Sequence, residues 1–289
     1  MRKHPRLALL ALLLLAVASL VGYGLLAARA DPLVRHLRFV SGRIAPGTPP
    51  FRVVLISDIH IGNRATPVWR LERVVDQVNA LQPDAIIFAG DLVNGYKPGD
   101  DDFRPDLAIA PLARLHARLG VWAVLGNHDD GEGIRDVKRV FARAHVRLLD
   151  DAAARIGPIA LSGVRLDHVV HARMAQIAAQ VRPLGGLPVL VVHAPPDPWA
   201  VPATFGLVLA GHTHCGQIVL PGWDNSFDPF EWQQRWAPQW RCGLVRARHY
   251  ALVVTAGIGA ASQVPLRIGA PSDIWEITLV PAVNAPKGR

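Results

Sequence analysis

Five apolar, strand-like runs in this sequence each stop at a cluster of aspartate, histidine or asparagine residues. Between the first three of these runs lie residues 68–81 and 107–119, in which apolar residues recur at helical spacing. Strands that alternate with helices predict a layered α/β fold. Ligands of open α/β folds bind beyond the carboxyl ends of the strands, so the five clusters can converge on one point. All strand-like runs are residues 52–57, 85–89, 121–125, 159–164, 189–192, 207–210, 252–255 and 274–280.

The clusters contain the residue types that bind divalent metal ions. A single strand-end aspartate is usually a helix cap, and a single histidine is usually a hydrogen-bonded surface or core residue. Five clusters in one chain, each directly after an apolar run, instead indicate one shared site. Gly90, Gly126 and Gly211 fit a chain that turns sharply out of the sheet. The clusters are Ser57-Asp58-Ile59-His60, Gly90-Asp91, Gly126-Asn127-His128-Asp129, His193 and Gly211-His212-Thr213-His214.

These clusters resemble the motifs of the calcineurin-like metallophosphoesterase family, and the resemblance covers residues 51–282. The family pattern is Asp-x-His, Gly-Asp, Gly-Asn-His-Asp/Glu, a lone His and Gly-His-x-His, and all five blocks match. The resemblance implies a layered β-sheet sandwich flanked by helices, and two divalent metal ions. The implied ligands are Asp58, His60 and His214 for one ion, Asn127, His193 and His212 for the other, and Asp91 as the bridge.

The resemblance also implies the chemistry. Two metal ions would activate a water molecule for attack on a phosphate ester, so no side-chain nucleophile is required. His128 would stabilise or protonate the leaving oxygen, and Asp129 is expected to orient its imidazole. Asn94 stands where the related purple acid phosphatases carry an iron-binding tyrosine, which leaves manganese, iron and zinc all open.

An uncharged, apolar segment from Leu7 to Ala28 is long enough to cross a bilayer core of about 30 Å as one helix. The alternative is a cleaved signal peptide, because Ala28-Arg29-Ala30 resembles a cleavage site. The length of the segment favours an uncleaved anchor over a signal peptide. Basic residues flank the segment equally on both sides, so the membrane face of the domain stays open.

The rest of the chain divides at its prolines and glycines. Residues 1–30 are interpreted as the transmembrane anchor, and residues 31–50 as a juxtamembrane linker that ends in Ala-Pro-Gly-Thr-Pro-Pro. Residues 51–282 are expected to form the catalytic domain, followed by a tail at 283–289. Cys215 and Cys242 have no zinc-type spacing, and a single disulfide between them stays open.

The net charge of the chain excludes few classes of ligand. A net charge of +8 would suit a phosphorylated ligand, an anionic lipid or nucleic acid. No run of basic residues stands out, so a nucleic-acid surface is not favoured.

Three features resemble a bacterial, membrane-associated branch of the family. They are the Cys-Gly-Gln after His214, the stretch at 265–271 and the apolar N-terminal segment. This branch includes phosphodiesterases, and its relatives cleave UDP-2,3-diacylglucosamine in lipid A synthesis, which implies the bacterial inner membrane. Residues 222–250 are rich in tryptophan, which indicates either a flap at the membrane interface or an insertion that packs on the domain.

The sequence therefore predicts an enzyme that hydrolyses a phosphate ester or pyrophosphate. The expected substrate is a phosphorylated small molecule or a lipid-linked phosphate, and the membrane is the expected partner. Two other functions stay open: a metal-binding membrane scaffold without activity, and a nuclease. A scaffold needs neither an open metal position nor a proton donor such as His128, and an anchor disfavours a nuclease.

Overall fold

The protein is described from a computed structural model that covers residues 5–165, 170–220, 222, 238–261 and 264–282. Within these residues, the chain alternates strands and helices as the sequence predicts. The α-helices are α1 (Pro5–Arg29), α2 (Val68–Ala80), α3 (Ile109–Ala113), α4 (Ile134–Arg143) and α5 (Val170–Val181). The strands are β1 (Leu33–Ser41), β2 (Phe51–Ile56), β3 (Ala85–Phe88), β4 (Val121–Ala123), β5 (Val146–Leu148), β6 (Ala152–Ile156), β7 (Ile159–Gly163), β8 (Leu187–Val191), β9 (Leu207–Ala210), β10 (Gly243–Arg246), β11 (Ala251–Val254) and β12 (Asp273–Pro281).

The described strands form two six-stranded sheets. The first has the order β1-β12-β2-β3-β4-β5, and the second has the order β10-β11-β9-β8-β7-β6. Strands β2, β3 and β4 run parallel in the first sheet, as do β8 and β9 in the second. The carboxyl ends of these five strands carry the polar clusters.

Four layers make up the domain. The inner faces of the two sheets pack on each other through apolar side chains such as Leu55, Ile87 and Val189. Helices α2, α3 and α4 cover the outer face of the first sheet, and α5 covers that of the second. This arrangement confirms the predicted β-sheet sandwich flanked by helices.

Helix α2 shows why these segments adopt their structure. Leu71, Val74, Val75 and Val78 recur at the spacing of one helical face, and all four are buried against the sheet. Burying each such side chain contributes about 1.5–3 kcal/mol. The apolar face therefore stabilises both the helix and its packing.

The helix expected at residues 107–119 is shorter than the sequence indicates. A short 3-10 helix spans Pro105–Ala108 and α3 ends at Ala113. Asn79 of α2 explains this end: its Nδ2 donates to Arg114 O at 2.8 Å, and its Oδ1 accepts from His116 N at 2.8 Å. These backbone groups are therefore not available to continue the helix.

The prediction of a linker over residues 31–50 is corrected for residues 33–41. Strand β1 pairs in parallel with β12 over its whole length, with Leu37 opposite Ile277 and Phe39 opposite Leu279. The charged residues Arg35 and Arg38 interrupt the apolar pattern, so the sequence did not indicate a strand here. An edge strand needs only one covered face, so its apolar signal is weak.

Helix α1 is one candidate membrane span among the described residues, by its length and its apolar composition. Of the tryptophan-rich segment, residues 223–237 lie outside the described residues, as does the tail at 283–289. The sequence-based interpretations of these two segments therefore stay predictions.

Candidate metal centre

The predicted ligands come together at one edge of the two sheets. Asp58 and His60 follow β2, Asp91 follows β3, and Asn127 follows β4. His193 follows β8 in the second sheet, and its Nδ1 lies 2.7 Å from Ala89 O in the loop after β3. This contact joins the ligand-bearing loops of the two sheets. His212 and His214 follow β9 at the same edge.

Three side chains form a first group. The Nε2 atoms of His60 and His214 are 3.2 Å apart. Asp58 Oδ1 lies 3.9 Å from the first of these atoms and 3.7 Å from the second. This is the set that the family resemblance assigns to one metal ion.

Three other side chains form a second group. His193 Nε2 lies 3.1 Å from Asn127 Oδ1 and 3.1 Å from His212 Nδ1. Asn127 and His212 are partly exposed, so this group borders the solvent. It is the set that the resemblance assigns to the other metal ion.

Asp91 lies between the two groups. Its Oδ2 is 3.6 Å from His60 Nε2 and 3.2 Å from His193 Nε2. Its Oδ1 accepts a hydrogen bond of 3.0 Å from the backbone N–H of His128. One carboxylate therefore faces both groups, as a bridging ligand must.

The spacing and type of these atoms fit divalent ions. Ligands at about 2.1 Å from a metal stand about 3.0–3.4 Å from one another, which is close to the separations found here. The donors are carboxylate and amide oxygens and imidazole nitrogens, a mixture that suits manganese, iron or zinc. Two buried carboxylates, Asp58 and Asp91, also call for compensating positive charge.

The pKa values of the imidazoles follow from burial and from Asp91. Burial lowers the pKa of His60 and that of His212 to about 3, and holds that of His214 well below its usual range. These three rings are neutral and have a lone pair for a metal. Burial also lowers the pKa of His193, but the charge of Asp91 outweighs it and raises this pKa to about 9.

The carboxylates respond in opposite directions. Burial, together with the charge of Asp91, raises the pKa of Asp58 to about 7, although His193 opposes the shift. Burial also raises the pKa of Asp91, but the charge of His193 prevails and holds this pKa well below its usual range. Without a metal, the site is therefore organised around an ion pair of Asp91 and His193.

Most of the predicted ligands adopt a left-handed backbone that side chains disfavour. Such a conformation costs about 1–3 kcal/mol per residue and is kept only where the surrounding structure imposes it. The residues with positive φ are Asp58 (52°), His60 (49°), Asp91 (59°), His212 (69°) and His214 (48°).

Two glycines leave the space that the carboxylates occupy. A Cβ at Gly126 would overlap Asp91 Oδ1, and a Cβ at Gly211 would overlap Ser57 and Asp58 Oδ2. Gly126 and Gly211 are thus required because side chains of other loops lie against their Cα atoms. Gly90 also has φ of +90°, a conformation that favours glycine.

Contacts outside the groups fix the rings. His60 Nδ1 lies 3.1 Å from Val93 O, and His193 Nδ1 has Ala89 O as its partner. Such carbonyls accept the Nδ1 proton and leave Nε2 free for a metal. His214 instead has Arg267 Nη2 at 3.2 Å from its Nδ1.

His128 stands beside the groups and contacts two aromatic rings. It stacks on Tyr96 with ring centroids 4.2 Å apart, and meets the ring of His60 edge-on at 4.8 Å. Its Nδ1 is buried and has no hydrogen-bond partner among the described residues. This buried atom is therefore available to a group that binds in the site.

Asp129 does not play the orienting role that the sequence suggested. Its Oδ1 accepts from Leu92 N at 2.9 Å and Val93 N at 3.3 Å, and its Oδ2 accepts from Gly126 N at 3.0 Å. In the described contacts, nothing joins this carboxylate to the ring of His128. Both oxygens are occupied by backbone N–H groups, so Asp129 positions the loops after β3 and β4.

Sequence reasoning missed Tyr96 and Arg267 as parts of the site. Tyr96 has no motif of its own, and Arg267 falls in a stretch noted only for its resemblance to one branch of the family. The disulfide left open by the sequence is present: Cys215 and Cys242 are bonded, with Cα atoms 4.8 Å apart. Cys215 directly follows the predicted ligand His214.

Comparison with known proteins agrees with the motifs. A transmembrane protein with metallophosphoesterase domain from Danio rerio is 29% identical over 296 residues, which cover 93% of this chain and 62% of that protein. An uncharacterised metallophosphoesterase from Bacillus subtilis is 26% identical over 83% of this chain and 82% of that protein. The chain thus spans about three fifths of the length of the Danio rerio relative.

Among solved structures, a dimetal phosphatase from Danio rerio has a TM-score of 0.44 and 12% identity, over 80% of this chain and 99% of that chain. The sequence profile described as calcineurin-like phosphoesterase matches residues 51–216, more than half of the chain. All five polar clusters lie within that range. The chain therefore belongs to the calcineurin-like phosphoesterase family.

Proposed function

We propose that this protein is a phosphoester hydrolase that works with two divalent metal ions. The observation that carries the proposal is the position of Asp91, whose Oδ2 lies within 3.6 Å of an imidazole nitrogen in each ligand group. A carboxylate that faces two groups of oxygen and imidazole donors suits a pair of cations, because its two oxygens can serve both ions.

Each group would hold one ion. Asp58, His60 and His214 would bind the first, Asn127, His193 and His212 would bind the second, and Asp91 would bind both. When bound, the two ions supply Lewis acidity to the phosphoryl group and acidify a water molecule. Manganese, iron and zinc all accept this donor set.

The protein's own contribution centres on His128. Its Nδ1 is buried without a partner in the described structure, so it can hydrogen-bond a substrate oxygen. A proton held on this imidazole would pass to the leaving oxygen as the phosphoester bond breaks. Tyr96 and His60 restrict the ring to one orientation, and Asp129 holds the two loops on which Asp91 and His128 stand.

The substrate we propose is a phosphorylated small molecule or a lipid-linked phosphate, with the pyrophosphate of UDP-2,3-diacylglucosamine as a specific candidate. Support comes from the apolar helix α1 and from the name of the Danio rerio relative, a transmembrane protein. The same features support a membrane location, and the bacterial inner membrane is proposed from the resemblance to the bacterial branch. Fold and site chemistry do not choose the leaving group, so the substrate needs a direct assay.

The test is hydrolysis by full-length protein in detergent, first freed of metal and then supplied with manganese. The substrates are bis-p-nitrophenyl phosphate, p-nitrophenyl phosphate and UDP-2,3-diacylglucosamine. Asp91→Asn and His128→Ala should each lower turnover by about 100-fold or more, in line with the loss of a metal bridge or a general acid. Asp76→Asn, an exposed residue of α2, is the matched control and should keep full activity.

Metal content separates the two roles. Asp91→Asn should bind less manganese than the native protein, whereas His128→Ala should bind the same amount. Absence of metal-dependent turnover on all three substrates would contradict the proposal and favour a non-catalytic metal-binding protein.

A further inference from the structure

Helix α1 packs on the catalytic domain through its last two turns. Gly24 and Ala28 are buried, and they stand one turn apart on the same face of the helix. Ala28 packs with Ala65 and Ala260. A Cβ at Gly24 would stand 3.3 Å from the side chains of both Leu266 and Ile268, so the small residue permits the contact.

Hydrogen bonds fasten this end of the helix to the domain. Arg267 N donates to Gly24 O at 3.0 Å. The fully buried Arg70 donates to Ala30 O through Nε at 3.2 Å and Nη2 at 2.9 Å. Cleavage after Ala30 would remove these acceptors and leave Arg70 without them, so the contacts favour an anchor that is retained.

The loop that packs on α1, residues 264–268, also reaches the metal centre. Residues 264–268 contact α1 through the backbone of Arg267, whose side chain turns inward to His214 Nδ1 at 3.2 Å. Its guanidinium also donates to Ala256 O at 2.6 Å and to Ala270 O at 3.0 Å. A single residue therefore connects the anchor helix with a predicted metal ligand.

The length of the helix places this loop at the membrane surface. Between Leu7 and Tyr23 the helix rises about 25 Å at about 1.5 Å per residue. The hydrocarbon core is about 30 Å thick, so Gly24 stands at its edge or within it. Leu266 and Ile268, which pack on Gly24, then lie at the level where lipid headgroups begin.

Exposed apolar side chains lie on α1 and next to the residues that bind its end and the loop at 264–268. Leu26 of α1 is 74% exposed, Trp69 beside Arg70 is 48% exposed, and Leu220 is 37% exposed. Leu220 follows Val219, whose N–H donates to Ile268 O at 2.7 Å. Trp69 lies under Arg73, a pairing of tryptophan and arginine that suits the membrane interface.

We propose that the end of α1, residues 264–268, Trp69 and Leu220 form a membrane-docking face that holds the metal centre at the level of lipid headgroups. The substrate is then a phosphoester carried by a lipid of the same bilayer. This inference rests on the proposed hydrolase function for its substrate, and on the docked helix for its geometry.

Two substrates with the same nitrophenol leaving group test the substrate class. Full-length protein in phosphatidylcholine vesicles is given either soluble bis-p-nitrophenyl phosphate or a diacylglycerol p-nitrophenyl phosphodiester embedded in the vesicles. Gly24→Leu forces Leu266 and Ile268 away from α1 and should lower lipid-diester turnover at least tenfold relative to the soluble diester. Gly22→Leu is the matched control and should change neither rate, because a Cβ there meets no described atom within 4 Å.

The proposed lipid substrate would be overturned if Gly24→Leu lowered turnover of both diesters equally. It would also be overturned if Gly24→Leu and Gly22→Leu gave the same rates. Failure of the native protein to cleave either diester would count against the hydrolase function itself. In that case, only a measurement without catalysis can test the docking face.

Fluorescence provides that second measurement. Leu266→Cys labelled with an environment-sensitive dye should show blue-shifted emission in the vesicles, and nitroxide lipids should quench it. The control is Arg135→Cys on α4, which covers the part of the first sheet farthest from β1. A dye at position 266 that is as accessible to water as one at 135 would overturn the docking face.

A separate observation bears on the side of the membrane. Cys215 and Cys242 are the two cysteines of the sequence, and they form a disulfide beside His214. Thr213 Oγ1 donates to Arg241 O at 2.6 Å. This hydrogen bond joins the two segments that carry the cysteines, next to the disulfide. Structural disulfides persist in oxidising compartments and are rare in the cytosol.

We infer that the catalytic domain lies on the oxidising, outer side of the membrane that α1 crosses. This placement favours a lipid-linked phosphate over the nucleotide-linked UDP-2,3-diacylglucosamine as the substrate. In the test, cells that express the full chain are quenched in acid, and the denatured protein is treated with a maleimide-polyethylene glycol. Native protein should gain no adduct before reduction and two after it, whereas Cys242→Ser should gain one without reduction. Two adducts on native protein before reduction would place the cysteines in a reducing compartment and overturn the inference.

Discussion

The ring of Tyr96 lies against the imidazole of His128, with centroids 4.2 Å apart and planes inclined by 24°. His60, a predicted metal ligand, meets the same imidazole edge-on from another side. The proposed general acid is therefore positioned by ring contacts, because Asp129 is occupied by backbone N–H groups. This arrangement makes Tyr96 a positioning residue that can be tested apart from the metals.

Replacement of Tyr96 by alanine should lower kcat by about 10- to 100-fold, since small misplacements of a catalytic group have effects of this size. The KM and the manganese content should change little. Tyr96→Phe keeps the stacked ring and should retain most of the activity. Steady-state kinetics with bis-p-nitrophenyl phosphate checks both variants, and equal losses in the two would show that the hydroxyl matters more than the ring.

Gly126 is predicted to be intolerant of any side chain. Gly126→Ala places a Cβ where Asp91 Oδ1 lies, so either the carboxylate or the loop must move. We expect a loss of about 1–3 kcal/mol in the free energy of unfolding, together with weaker manganese binding. Gly42→Ala, where a Cβ meets no described atom within 4 Å, is the control for urea unfolding and metal titration.

Arg267 should be essential for the loop that surrounds the site. Its fully buried guanidinium donates to carbonyls of Ala256, Gly259 and Ala270. Arg267→Leu leaves these acceptors unsatisfied and should cost about 3 kcal/mol or more in unfolding free energy. Arg118→Leu, which removes an exposed ion pair with Asp84, should cost about 1 kcal/mol or less.

Metal binding should release protons at neutral pH. The charge of Asp91 outweighs burial and raises the pKa of His193 to about 9, so this ring is protonated at pH 7 before a metal binds. A metal needs the neutral ring, so its apparent affinity should rise as the pH increases from 7 towards 9.

Calorimetric titrations with manganese in two buffers of different ionisation enthalpy measure that proton release. Native protein should release about one proton or more per two-ion centre, and His193→Ala should release fewer. An observed heat that does not depend on the buffer would contradict the assigned charge of His193.

Local patterns were sufficient to predict much of this site from the sequence. Each proposed ligand lies within four residues of the end of a strand, as Asp58 lies after β2 and His212 after β9, and parallel neighbours bring their ends together. Strand patterns therefore indicate both the fold and the convergence of the loops. The five clusters needed no knowledge of long-range packing.

The remaining features depend on contacts between distant parts of the chain. Tyr96 and Arg267 lie in loops without a periodic pattern, and only the folded structure brings them to His128 and His214. The role of Asp129 was mistaken because adjacency to His128 in sequence does not give the direction of its carboxylate. Strand β1 was missed because its charged side chains fit a juxtamembrane segment equally well.

Hydrolysis by this protein is proposed to need two metal ions that act together. Metal-free protein can be titrated with manganese while the hydrolysis of bis-p-nitrophenyl phosphate is recorded. Two ions that act together should give little activity after the first equivalent and full activity as the second binds. Activity that is complete after one equivalent, or that does not depend on metal, would contradict it.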